Sequence, residues 1–193
     1  MQFAFIKVGS TNSGVDPQFA SNITGAQSAG LKTGIYLYSY ATTPEQAQQE
    51  ANLVLQWIEG YTVNYPIVFD IEDKCHKNLS NQQLIDIINA FCTTIDAAGY
   101  YPMVYSYKNM FDTKLSICGW DRWVAQYNSS CGHTNNVCFW QYSSSGKVNG
   151  FSGRVDVNYQ FKDYSNLIIS DGFIEHNGCL LYTSPSPRDR SLS

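Results

Sequence analysis

Short apolar runs alternate along this chain with longer stretches in which apolar residues return every three or four positions. The run FAFIKV at residues 3–8, followed by the turn-forming GSTNSG, predicts a buried strand and a turn. DPQFASNITGAQSAG then predicts a helix, with Asp16 as N-cap, Pro17 at the first helical position and Gly30 as the stop. TGIYLYSYA is the next strand, and TPEQAQQEANLVLQWI the next helix, opened by Thr43 and Gln46 as a capping box around Pro44. Its Ala47, Ala51, Val54, Leu55 and Ile58 fall on one face. YPIVFDIE repeats the strand, and SNQQLIDIINAFCTTIDAAG the helix, boxed by Ser80 and Gln83 and ended by Gly99. Leu84, Ile87, Ile88, Phe91 and Ile95 form its buried stripe. YPMVYSY is a fourth strand, followed by a short helix in NMFDTKLSI. After it DRWVAQY, VCFWQY and GRVDVNYQF are strand-like with no helical pattern between them.

Strand and helix in alternation imply parallel strands joined by right-handed crossovers, which both a doubly wound sheet and a barrel satisfy. A nucleotide-binding sheet would carry a glycine-rich phosphate loop, and neither G-x-G-x-x-G nor a Walker-type lysine occurs here. Seven strands with acidic or aromatic ends read instead as an irregular TIM-like α/β barrel with its first strand missing and its last strands lacking intervening helices. The barrel is expected over residues 1–165, with a C-terminal extension over 166–178. The end of the chain, CLLYTSPSPRDRSLS at 179–193, has no periodicity. It resembles a translated sequencing adapter and is set aside as a cloning or assembly scar. The chain opens directly on a core strand, so both ends read as cuts.

A net charge of −4 argues against a nucleic-acid phosphate binder. No stretch is long and apolar enough to span a membrane. Fourteen tyrosines among few charged residues suit a surface that stacks on neutral rings such as sugars, although ordinary core packing accounts for most of them. Outside the tail lie Cys75, Cys92, Cys118, Cys131 and Cys138, an odd number that leaves a thiol free. Cys92 falls on a helix's apolar face. Cys131 and Cys138 bracket a loop that a disulfide would close in an exported protein. With His133 they offer three zinc ligands but lack the usual paired spacing, so no metal and no cofactor is expected.

The chemistry concentrates in YPIVFDIE. Along a strand, residues i and i+2 share a face, which points Asp70 and Glu72 the same way. At the C-terminal rim of a barrel both carboxylates face the mouth. An apolar floor and a second acid both raise a carboxyl pKa, as a general acid near neutral pH requires. Asp156, between Val155 and Val157, interrupts another apolar strand. Buried acids of this kind are paired, hydrated or functional. Alpha carbons two residues apart on a strand are about 6.5–7 Å apart, which fits either a retaining or an inverting glycosidase once side chains tilt.

The ordered set FAFIKV, DPQF, AGLKTGIYLYSY, PIVFDIE, AGYYPMVYSY, RWVAQY and FWQYSSSGKVNGFSGRVDVN resembles the family 25 glycoside hydrolases, the Chalaropsis-type N-acetylmuramidases, over about residues 2–160. The resemblance implies a flattened eight-stranded barrel that hydrolyses peptidoglycan glycan strands. Glu72 would be the general acid, Asp70 the group that orients or stabilises the 2-acetamido substituent, and Asp156 part of the site's charge network. Tyr38, Tyr105, Tyr107, Tyr127 and Trp140 match aromatic blocks near strand ends and are the candidates for sugar stacking. A monomer acting outside the cell or in the cell wall is implied, as a secreted enzyme or a phage endolysin. The family opens on an aspartate-bearing strand with no counterpart here, which predicts an open seam with unpaired strand edges. Two other readings stand beside the muramidase: a chitinase-like glycosidase, whose longer acidic run is absent, and a barrel that binds peptidoglycan without turnover.

Overall fold

The first apolar run forms strand β1, Phe3–Ser10, in the computed structural model, which describes residues 2–164. A two-residue strand β2, Gly14–Val15, folds back antiparallel onto Gly9 and Ser10. Helix α1, Phe19–Ser28, follows. Asp16 is not its cap. Gln18 holds that position, and Asp16 accepts the Gln18 N–H on Oδ1 and the Phe19 N–H on its carbonyl, both at 2.9 Å. Pro17 presets this lead-in turn instead of the first helical turn.

Strand β3, Lys32–Tyr38, leads to α2, Pro44–Trp57. Thr43 caps α2 through the Gln46 N–H at 3.3 Å, while the Gln46 side chain reaches back to the Thr42 N–H at 2.8 Å, one residue earlier than a regular box. Strand β4, Ile67–Asp70, leads to α3, Asn81–Ala97, where Ser80 and Gln83 make the complete reciprocal box. Its stripe residues Leu84, Ile87, Ile88, Phe91 and Ile95 are all fully buried. Gly99 ends the turn with φ 85°, a conformation that penalises any residue with a β carbon. Strand β5, Pro102–Tyr107, runs straight into the six-residue α4, Lys108–Thr113. Strands β6, Arg122–Ala125, β7, Val137–Gly146, and β8, Val155–Gln160, complete the series. The seven expected strands are present, and β2, too short to carry a pattern, makes the eighth among the described residues.

All belong to one sheet in the order β2-β1-β3-β4-β5-β6-β7-β8, parallel from β1 to β7 apart from the antiparallel ends β2 and β8. The sheet curls without closing. Among the described residues β1 pairs only with β2 and β3, and β8 only with β7, leaving the open seam that the sequence predicted. The readings of 166–178 and of the tail lie outside the described residues.

Two cores result. On the convex side Ile35, Leu37, Ile67, Phe69, Val104 and Val124 meet the helices, with Phe69 stacked on Phe91 at 4.2 Å. Each such side chain contributes about 1.5–3 kcal/mol of burial. On the concave side Phe3, Phe5, Tyr65, Phe139 and Tyr164 fill one end of the curl. Gly34 is required there, because a β carbon would lie 2.4 Å from the Phe5 ring and 2.8 Å from the Pro66 carbonyl. Below this layer Asp121 Oδ2 accepts from Tyr101 at 2.8 Å and from Tyr164 and Lys162 at 2.7 Å, fastening the chain after β8 to β5 and β6.

Candidate active site

At the other end of the curl the concave face turns polar. Register places Tyr38, Asp70 and Tyr105 side by side on β3, β4 and β5. They line a cleft of about 1080 Å³ that opens along the seam and also takes in Lys7, Glu72 and Asp156. Both Asp70 and Glu72 reach it, but not as a pair on one strand. Strand β4 ends at Asp70, and Glu72 stands beyond it. Strand β5 holds the intervening residue: the Ile71 N–H donates to the Tyr105 carbonyl at 3.0 Å, and the Ser106 hydroxyl donates to the Ile71 carbonyl at 3.0 Å. The backbone bonds of its neighbour Ile71 therefore fix where Glu72 stands.

Asp70 is only 4% exposed, and its Oδ1 has no hydrogen-bond partner among the described residues. Burial first, then the charge of Glu72, pushes its carboxyl well above the usual range, with Lys7 and the Glu72 N–H acting against the rise. Glu72 is half-buried, with the Tyr107 hydroxyl directed at it. Burial and that contact push the Tyr107 phenol up to about 12. Asp156 enters from β8, across the cleft; it is exposed, and partial desolvation raises its carboxyl.

The aromatic candidates divide. Tyr105 is buried and donates to Gln141 Oε1 at 2.9 Å, and Tyr127 donates to the same oxygen at 3.1 Å from an exposed position. Tyr38 borders the cleft, but its hydroxyl is given to Asp73 at 3.1 Å. Tyr107 is at the exposed rim. Trp140, the fifth candidate for sugar stacking, does not line the cleft. Paired with Val124 and Tyr159, it lies on the convex face, 5% exposed, its Nε1 donating to the Gln126 carbonyl at 2.7 Å. Strand alternation puts it opposite Gln141, and Gln141 is the neighbour that faces the cleft.

Sequence reasoning passed over Lys7, Tyr36, Trp123, Gln141 and Asn158. Trp123 donates to Asn158 Oδ1 at 2.7 Å, stacks on Phe5 at 4.6 Å and meets Tyr105 edge-on at 4.8 Å. Tyr36 is pushed up to about 12 by burial and then by Asp70, Asp156, Asp16 and Glu72, which places its phenol among the acids. The signal that singled out Asp70 and Asp156, a polar residue interrupting an apolar strand, also marks Lys7 in FAFIKV and Gln141 in VCFWQY.

The cysteine and histidine expectations end in structural roles. All five described cysteines are free, so the loop disulfide is not made. Cys131 Sγ is turned to the His133 carbonyl at 3.2 Å, and Cys138 is buried in β7 with Sγ against the Asn136 carbonyl at 3.4 Å. His133 has both ring nitrogens engaged, Nε2 with Arg122 at 2.8 Å and Nδ1 with Asp112 at 2.6 Å.

Residues 1–151 match the family described as Glycosyl hydrolases family 25. The chain is 30% identical over 163 residues to the uncharacterized protein YegX of Escherichia coli K12, covering 82% of this chain and 58% of that protein. It therefore spans little more than half the length of that relative. Among solved structures it is similar to the bacterial lysozyme of Streptomyces coelicolor, with a TM-score of 0.73 and 27% identity over 87% of this chain and 85% of that one. It is also similar to the modular autolysin LytC of Streptococcus pneumoniae in complex with a synthetic peptidoglycan ligand, with a TM-score of 0.72 and 29% identity over 80% of this chain and 39% of that one.

Proposed function

We propose, because this chain belongs to glycosyl hydrolases family 25, that its cleft hydrolyses the β-1,4 bond between N-acetylmuramic acid and N-acetylglucosamine in peptidoglycan. The observation that carries the reading is the unequal acidic pair: a buried Asp70 with an unpartnered oxygen, beside a half-buried Glu72 held by its backbone at the mouth of the same cleft. Glu72 donates a proton to the glycosidic oxygen as the bond to the anomeric carbon breaks, and water adds to that carbon, giving up the proton that restores the acid. Asp70 accepts the N–H of the 2-acetamido group and stabilises the positive charge that develops. Asp156 contributes a second negative wall, and Tyr36 and Tyr105 line the same cleft. The likeness to a lysozyme and to an autolysin bound to a peptidoglycan ligand supports this substrate and a site of action in the cell wall. No helix of the described residues is long and apolar enough to cross a membrane.

The test is release of reducing ends from purified peptidoglycan, with the sugar at each new end identified. N-acetylmuramic acid at those ends is the expected result. N-acetylglucosamine there would overturn the bond assignment, and binding without release would leave a barrel that holds peptidoglycan without turnover.

Asp70 supplies a second test. Its carboxyl is raised in the folded protein, so the fold holds this proton more tightly than the unfolded chain does. Stability is therefore lost as pH rises from the ordinary aspartate value, about 3.9, through the raised one. Asp70→Asn removes that loss. In urea titrations from pH 4 to 8 its stability relative to the parent should grow with pH, while reducing-end release falls about 10²-fold. A stability difference independent of pH would contradict the buried-acid assignment.

A further inference from the structure

Strands β7 and β8 carry a second aromatic surface, on the side away from the cleft. Gln141 and Asn158, paired in register, face the cleft, and their neighbours Tyr142 and Tyr159 stack on each other at 4.6 Å. Trp140 joins them, 5.6 Å from Tyr159 and 5.7 Å from Tyr142. Phe161, one residue past the end of β8, is exposed as well. The helices α1, α3 and α4 pack on β1 and β3 to β6, but none follows β6, β7 or β8 among the described residues. Tyr159 is 53% and Phe161 58% exposed, while Tyr142 is half-buried and Trp140 forms the buried base of the stack.

We infer that this row is a second glycan-binding surface, taking the neutral ring faces of the same peptidoglycan strand that occupies the cleft; the inference rests on the function proposed above. Two features connect the surfaces. Tyr142 belongs to both, since it borders the cleft and stacks on Tyr159. Strand β8 is the last of the sheet and has no strand on its far side among the described residues, so a glycan leaving the cleft at Asp156 and Asn158 crosses a free edge onto Tyr159. Exposed aromatic rings bind flat, apolar ring faces, and the preassembled stack spares the cost of ordering them. The surface would therefore serve long strands and not short ones.

Tyr159→Ala and Tyr159→Phe in the full chain test this. With polymeric peptidoglycan, Tyr159→Ala should raise KM about tenfold and weaken co-sedimentation with the polymer to a similar extent, while Tyr159→Phe behaves as the parent. With a soluble tetrasaccharide that fills only the cleft, all three proteins should be equal. Unchanged behaviour of Tyr159→Ala on the polymer would overturn the inference and leave the face to another occupant, such as a second copy or the chain beyond Tyr164. Equal losses on polymer and tetrasaccharide would overturn it too, showing a role in folding. If the parent releases reducing ends from neither substrate, the proposed hydrolysis fails instead; co-sedimentation alone then decides the inference, upheld by weaker retention of Tyr159→Ala and overturned by equal retention.

Discussion

Glu72→Gln is expected to lower reducing-end release from peptidoglycan by about 10²–10⁴-fold, the range that a positioned proton donor contributes. The loss should fall on kcat, with KM little changed, because the amide keeps the shape of the carboxyl and removes only the proton that moves in the transition state. The fold should be unaffected. Glu72 is held through Ile71, whose N–H and carbonyl are bound by Tyr105 and Ser106, and neither bond involves the substituted side chain. The Tyr107 hydroxyl directed at Glu72 still meets an oxygen in the variant. Far-UV circular dichroism and the thermal midpoint should therefore match the parent. A folded Glu72→Gln protein that retains a tenth or more of the activity would remove Glu72 from the role of general acid.

Arg122→Met is expected to be the most damaging change outside the cleft, costing about 3–5 kcal/mol in urea unfolding. Arg122 begins β6, is 2% exposed and lies 5.2 Å over the Phe111 ring. Its Nη2 donates to the carbonyls of Cys118 at 2.7 Å and Ser116 at 3.1 Å, and its Nη1 donates to His133 Nε2 at 2.8 Å. A guanidinium can only donate, so His133 Nε2 is the acceptor and Nδ1 carries the proton given to Asp112. The chain from Arg122 through His133 to Asp112 thus ties the loop before β7 to α4, the helix that Tyr107 precedes as N-cap. Methionine preserves volume and leaves three acceptors without donors. Arg122→Lys, which keeps the charge but not the planar fork, should recover only part of the loss. A cost below about 1 kcal/mol for Arg122→Met would show that water satisfies those acceptors and that the assembly is not a structural tie.

The helices were legible because their determinants are close together in the chain. Ser80 and Gln83 are three residues apart and form the box that their spacing predicts, and the stripe from Leu84 to Ile95 is buried throughout. Asp16 was misjudged because the same short side chain can cap a helix or close a turn, and here it closes the turn. Strand β2 has two residues and no period to detect.

For the site, the sequence by itself determined that acids stand at strand ends, since a carboxylate in an apolar run is anomalous wherever the strand lies. It also carried the family's ordered blocks, and with them the fold. Which residues meet was decided only in three dimensions. Lys7, Tyr36, Asp70, Tyr105, Gln141 and Asp156 come from six strands, and only the curl of the sheet brings them to one cleft. Trp140 shows the limit most plainly. Alternation says that it and Gln141 face opposite ways, but not which way is inward, because both faces of β7 carry aromatic residues. Register with β6 and β8 settles that choice, and register is a property of pairing between strands, which no single strand contains.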